Sequence, residues 1–318
     1  MPSPETMSSD VAACLAALTS GQIDAGLALF ERLVDEQGLD SRHLRQLVIA
    51  VHDLALKTPG DDPSRERLLE TTTIGYEAWF EAFGDDPRAG TMHYAYAELM
   101  YKTQRFDEAY AHYTTVVQDH QDLKHASFCA DSAVAAAEAV VGLQVKDGSR
   151  PLDPSPGATI WEENLVAAVD QALTLDPERR DGASMAYKAG YVLYETGEHE
   201  RAIDWFQDVM DRDPTTPEAR LASHLIMDSY AKHEDWLGLE EWALAFHRDG
   251  AIGDDSDREQ AWAIAGRAGR AALEADGDAD GWLAWIDRYG DDPEVVAAAA
   301  AALRAEGRDA EADALEAP

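Results

Sequence analysis

Apolar residues recur at three- and four-residue spacing along most of the chain, as in Leu44, Leu47, Val48, Val51 and Leu54. That spacing lays one buried stripe along a helix. It predicts helices over 41–57, 64–83, 125–143 and 159–175, with turn formers between them. A further helix has a marked start, because Thr216 can cap it and Pro217-Glu218 suits its first turn. No segment predicts a strand. The simplest tally is eight antiparallel hairpins, or sixteen helices, most packed only against their neighbours. One stack over 10–318 is expected, behind a disordered tail at 1–9. Residues 145–157, VKDGSRPLDPSPG, carry three prolines and two glycines and predict a long loop insertion. It is either a solvated excursion or a flap and partner contact.

Self-similarity decides the class, since helix-pair repeats recur at about 34 residues. In 183–214, Gly190 is followed by Leu193 and Tyr194, a Gly197 turn, then Ala202, Phe206, Val209 and Pro214. In 91–121, Ala97 takes the place of Gly190, Ala109 and Tyr113 follow at the offsets of Ala202 and Phe206, and the turn is Gln104-Arg105. Small residues stand where two backbones would cross, and large ones fill the space between. These two segments resemble the tetratricopeptide repeat. Weaker copies contain Tyr230, Trp236 and Leu239; Cys14, Gly21, Gly26 and Phe30; Gly277, Trp282, Ile286 and Tyr289; and a last alanine-rich unit turning at Gly307. The resemblance implies an all-α, right-handed α-solenoid, with first helices on the concave side and second helices on the convex side. The wording of 183–249 is also similar to bacterial multi-repeat scaffold proteins, some tied to motility or envelope assemblies.

In the register the resemblance implies, ligand-facing positions are the second, fifth, ninth and twelfth of each first helix. They read Ser184, Tyr187, Tyr191 and Tyr194 in one unit, Tyr94, Glu98 and Tyr101 in another, and His224 and Asp228 in a third. Tyrosine combines contact area with a polar tip and little rotamer entropy, which suits an extended peptide or partner helix. A register shift of one residue would turn the same rings into core, so both readings stand for Tyr187 and Tyr94. Some tetratricopeptide proteins hold a terminal carboxylate through Lys and Asn in this groove. Tyr187, Tyr191, Glu98 and Asp228 replace them here, and fixed negative charge opposes such a ligand.

Charge narrows the partner further. The 318 residues hold 62 acidic against 26 basic side chains, a net charge of -36 that repels nucleic acid and anionic membranes. A basic or neutral protein segment is expected instead. Twenty Arg, six Lys and many Asp fit either a saline habitat or a GC-rich genome. Cys14 and Cys129 are the only cysteines. Each is set among small or apolar residues, which predicts buried thiols in a reducing compartment. Val11-Ala12-Ala13-Cys14 matches a loose lipoprotein cleavage pattern, yet no basic start or apolar run precedes it. No stretch approaches about eighteen uninterrupted apolar residues, so no membrane span is expected and the location is read as cytoplasmic.

No candidate for chemistry survives its structural alternative. His112, His120 and His125 do not share one helical face, and Glu198-His199-Glu200 sits at a turn and predicts a solvated corner. Asp85-Asp86, Asp254-Asp255 and Asp291-Asp292 predict helix starts. Asp276 to Asp280 supplies only the opening of a calcium loop. No phosphate-binding glycine loop or nucleophile elbow is present. The expectation is an interaction scaffold without catalytic, cofactor or metal residues, or a structural module assembling through its end repeats. The concave groove would receive the partner.

Overall fold

The computed structural model describes residues 4–36, 38–150 and 157–317. Among them are sixteen α-helices and no strand. In chain order they are α1 (Pro4–Thr19), α2 (Ile23–Asp35), α3 (Ser41–Lys57), α4 (Ser64–Phe83), α5 (Ala89–Lys102), α6 (Phe106–Asp119), α7 (Ala126–Asp147), α8 (Ile160–Leu175), α9 (Gly182–Glu195), α10 (His199–Arg212), α11 (Pro217–Lys232), α12 (Trp236–Arg248), α13 (Asp255–Asp276), α14 (Ala279–Tyr289), α15 (Pro293–Ala305) and α16 (Asp309–Leu315).

The chain divides into two compact units, 1–149 and 150–318. The single stack expected over 10–318 is therefore described as two. In the first unit α1 packs on α2 and α3, α2 and α3 on α4, α4 on α5, α5 on α6 and α6 on α7. In the second, successive helices from α8 to α16 pack on one another and α9 also lies against α11. Packing on the next helix and on the next but one is the α-solenoid arrangement.

Two boundaries differ from the sequence reading. Residues 4–9, expected in a disordered tail, are helical in α1, because nothing from Glu5 to Val11 interrupts helical backbone. Residues 145–147, expected in the loop, extend α7, which ends at Gly148 in left-handed backbone (φ 78°). The rest of the expected loop is 148–150 and 157, with 151–156 outside the described residues.

The helix starts follow local chemistry. Thr159 caps α8 in a reciprocal box with Glu162, whose buried carboxylate also accepts from Arg150 Nε at 2.6 Å. Thr216 accepts from Ala219 N at 3.1 Å with Pro217 in the first turn. Asp254, Asp278 and Asp292 cap α13, α14 and α15. Asp278 belongs to the calcium-like run, which serves as a helix start. Asp86 instead pins the turn before α5, accepting from Arg88 N and Ser41 Oγ.

The largest fully buried side chains of the first unit include Trp79, Tyr76, Tyr96, Tyr113 and Phe30. Each such ring contributes on the order of 2 kcal/mol by leaving water. The second unit relies more on alanine, with Ala186, Ala189, Ala202, Ala219, Ala222, Ala243, Ala261 and Ala265 all inaccessible. Helices there approach closely. α7 is the one described helix long and apolar enough, by length and composition, to cross a membrane, a feature that counting uninterrupted apolar residues overlooks. Its Cys129, Ala130, Ala133, Ala136 and Ala137 face is buried in the first unit, and it carries Asp131 and Glu138. We read it as a core helix.

Candidate functional site

Tyr187, Tyr191 and Tyr194 follow one another up a single face of α9, four and then three residues apart. Their rings are stacked in sequence, with centroids 6.0 Å apart for Tyr187 and Tyr191 and 6.4 Å for Tyr191 and Tyr194. Tyr191 is 42% exposed, Tyr187 and Tyr194 are half-buried, and Ser184 is exposed one turn earlier. The opposite face of α9 is buried through Ala186, Ala189, Gly190 and Leu193. At Gly190 a Cβ would lie 2.8 Å from the Phe206 ring, so only glycine lets α9 and α10 approach this closely. Gly197 then turns the chain with φ 82°. The tyrosine face is thus the surface left when the small-residue face packs on α10.

α11 closes one end of the ladder. Tyr194 Oη donates to Asp228 Oδ2, while Lys232 Nζ donates to Tyr194 Oη at 2.6 Å and pairs with Asp228 at 3.0 Å. The ammonium also stands 4.2 Å from the Tyr194 ring centroid. Burial pushes the Asp228 carboxyl up, but the bonds from Tyr194 and Lys232 and the Lys232 charge bring it below its ordinary value. Burial, then the Asp228 bond, raises Tyr194. This position is therefore internally neutralised. His199 stands edge-on to Tyr194 at 5.2 Å and to His233 at 5.0 Å. Burial, then His233, then Lys232 lowers its pKa, which keeps the ring neutral near pH 7. His199 is half-buried, so the solvated corner expected at 198–200 does not describe it.

The other predicted residue on α11 has a mixed role. His224 Nε2 lies 3.5 Å from the Asp257 carboxylate, and its ring is edge-on to Phe246. Asp257 is buried, completes the α13 capping box and accepts from Arg220 at 2.8 Å. His224 and Asp228 also border a cleft of about 380 Å³ with Met227, Trp236, Ile264 and Arg267.

Carboxylates flank the exposed rings. The charge of Glu195 is the first cause of the raised Tyr191 pKa, and Glu218 adds to the larger effect of burial on Tyr187. Lys232 and His233 were missed in the sequence, and His199 was read there only as a turn residue. Lys232 alone left a signal, four residues after Asp228 on one helix.

Tyr94, Glu98 and Tyr101 belong to the first unit, the other six predicted residues to the second. On α5 they take the places that Tyr187, Tyr191 and Tyr194 take on α9, but their neighbours differ. Tyr94 stacks on His125 at 4.8 Å and stands edge-on to Phe128. Glu98 accepts from Tyr113 Oη at 2.5 Å and pairs with Lys102 at 3.6 Å. Tyr101 packs against Phe106 and Tyr113.

The histidines that the sequence does not place on one helical face are divided, His112 and His120 standing against His93 and His125 apart from them. His112 meets His93, Nδ1 to Nδ1 at 2.7 Å, with Phe80 stacked on both rings, whereas His125 lies against Tyr94. Burial, reinforced for His93 by His112 and His120, brings both His93 and His112 down to about 4. Among the described residues no three His, Cys, Asp or Glu side chains gather as a metal-binding group. Cys14 and Cys129 are buried and free, and burial raises their thiols to about 11 and about 12.

No protein-family model and no curated protein matches the chain. Among solved structures it is similar to one described as a functional characterization of Pseudomonas aeruginosa PilF. The TM-score is 0.28 with 13% identity, over 81% of this chain and 97% of that one. So loose a likeness leaves the fold to rest on its own helices.

Proposed function

We propose that the protein is an interaction scaffold that binds a basic or neutral segment of a partner protein on the tyrosine face of α9 and the adjoining face of α11. The observation that carries this reading is the stacked Tyr187 and Tyr191 pair, held partly open to water beside Glu195 and Glu218. Aromatic rings in solvent represent contact area that the fold itself does not use. The clamp of Asp228 and Lys232 on Tyr194 orders one end of the ladder before any partner arrives, which lowers the entropy cost of binding. Lys or Arg side chains would lay their stems on the rings and their charges beside the carboxylates. The net charge of -36 opposes nucleic acid or an anionic membrane as the ligand.

The test is affinity capture from lysate of the source cells with the wild-type chain and with Tyr187→Ala/Tyr191→Ala. Tyr191 is exposed, but the Tyr187 ring lies 5.8 Å from that of Phe206 on α10, so wild-type circular dichroism of the variant is a condition of the test. A defined partner held by the wild type and lost by the double variant is expected. Equal retention would sink the tyrosine-face reading.

A further inference from the structure

A second surface lies in the same unit, away from the tyrosine ladder, where the start of α12, the end of α13 and the middle of α14 enclose an open cleft of about 510 Å³. That volume is in the range of a site for one or two large side chains or a drug-sized ligand. Its apolar lining is Trp236, Leu237, Leu273 and Trp285, with Ala272 and Ala284 between them. Leu237 is 69% exposed at the first turn of α12, so a large apolar side chain stands in water at the edge of a concavity. Trp285 is fixed in orientation, because its Nε1 donates to Gly266 O at 2.9 Å. Leu273 is anchored from behind by packing against the Trp282 and Val295 cluster. Two of the apolar walls are thus anchored to the fold.

The charges in the lining have one sign left over. Arg288 is the only cation there, and it is committed to Glu240 at 2.8 Å, which also accepts from Tyr289 Oη at 2.8 Å. Asp235 accepts from Gly238 N as the cap of α12. Glu234 and Asp276 have no ion-pair partner among the described residues. Glu234 is held at the α11–α12 turn in left-handed backbone, φ 55°, next to the cap of α12. An apolar cleft bordered by uncompensated carboxylates is complementary to a ligand that is apolar in the middle and positive at its edges.

We infer that this cleft is a docking site for a partner segment carrying a large apolar side chain flanked by Lys or Arg, with the apolar group against Leu237, Leu273 and Trp285 and the cations beside Glu234 and Asp276. The inference is distinct from the tyrosine face, since none of its lining residues is on α9 or α11, although Trp236 also borders the His224 and Asp228 cleft. Together the two surfaces would let one chain hold two segments, whose linkage would raise the combined affinity above that of either alone.

The experiment measures fluorescence anisotropy of a labelled amphipathic Leu/Lys peptide of about 14 residues, long enough to form a helix on binding. Two control peptides replace every Leu by Ser or every Lys by Glu. The full chain is titrated as wild type and as Leu237→Asp, Ala284→Arg, Glu234→Gln/Asp276→Asn and Tyr187→Ala/Tyr191→Ala. Leu237 and Ala284 are exposed, so their substitution leaves the core alone. Saturable binding of the Leu/Lys peptide is expected, weakened about tenfold by Leu237→Asp or Ala284→Arg and severalfold by the double neutralisation. Both control peptides should bind at least about tenfold more weakly, and the tyrosine variant should bind as wild type. Equal binding of the Ser/Lys peptide would reduce the effect to bulk charge and overturn the site. Unchanged affinity of Leu237→Asp and Ala284→Arg would do so too. A loss confined to the tyrosine variant would move the peptide to α9.

Discussion

The α5–α6 and α9–α10 hairpins are built on one pattern and finish as different surfaces. Ala97 and Gly190 take the same close-packed place, and Tyr113 and Phe206 fill the space opposite. On the outward face the two diverge. Tyr94 is covered by His125, and Glu98 is engaged by Tyr113 and Lys102. On α9 Tyr191 has no such cover, Tyr187 leans on Phe206 of its own hairpin, and the polar contacts gather at Tyr194 through Asp228 and Lys232, where the corresponding residues of α7 are Ala135 and Ala139. A repeat motif therefore fixes how two helices pair, while the side chains of the next first helix decide what the remaining, partly exposed face touches.

The His93 and His112 pair of the first hairpin offers the largest test, because Ala186 and Trp205 replace it in the second. Both folded rings take up protons only near pH 4, whereas the unfolded rings do so near 6.5. Between those values the unfolded chain binds more protons, so stability falls as pH drops through that window. The pair should account for about 2–3 kcal/mol of that loss, below the full two-ring value because both rings are partly solvated. Denaturant midpoints at pH 7 and pH 5 should differ clearly less for His112→Phe than for wild type. Equal differences would remove the pair from the pH response.

The covered and open tyrosines give the next test. Tyr94→Ala should cost about 1–2 kcal/mol through the lost stacking on His125. Tyr191→Ala should stay within about 0.5 kcal/mol, as an exposed ring does. Urea unfolding of the two variants separates them, and equal costs would erase the contrast between the faces.

The smallest effect lies in the turns. Gly197 and Gln104 occupy the same position at φ 82° and 64°, and each is followed by a backbone bond reaching five residues back, from Glu198 N to Leu193 O and from Arg105 N to Met100 O. A left-handed glutamine carries strain that glycine lacks. Gln104→Gly should stabilise by about 1 kcal/mol and Gly197→Gln destabilise by about as much, read as opposite shifts in thermal midpoint.

These comparisons also mark where sequence reading succeeds. The start of α11 was legible because Thr216 satisfies its helix end locally. Apolar spacing gave the bounds of α3 and α4, and the small residue at Gly190 gave the hairpin crossing. What Tyr94, Tyr194 and His112 touch was not legible. Helical periodicity assigns a residue to a face but leaves open which side chain of another helix stands opposite, and that depends on how far the two helices slide along each other. For the same reason Glu198-His199-Glu200 read as a corner in water, although His199 folds back toward Tyr194 and His233.

Cys14 and Cys129 close with a practical consequence. Both thiols are buried and held protonated far above neutral pH. Maleimide chemistry at pH 7 should pass them by, so the native chain is its own blank for site-directed labelling. A cysteine introduced at Ser184 would carry a fluorophore to the tyrosine face, and one at Leu237 to the α12–α14 cleft. Two colours could then follow two partner segments on one molecule.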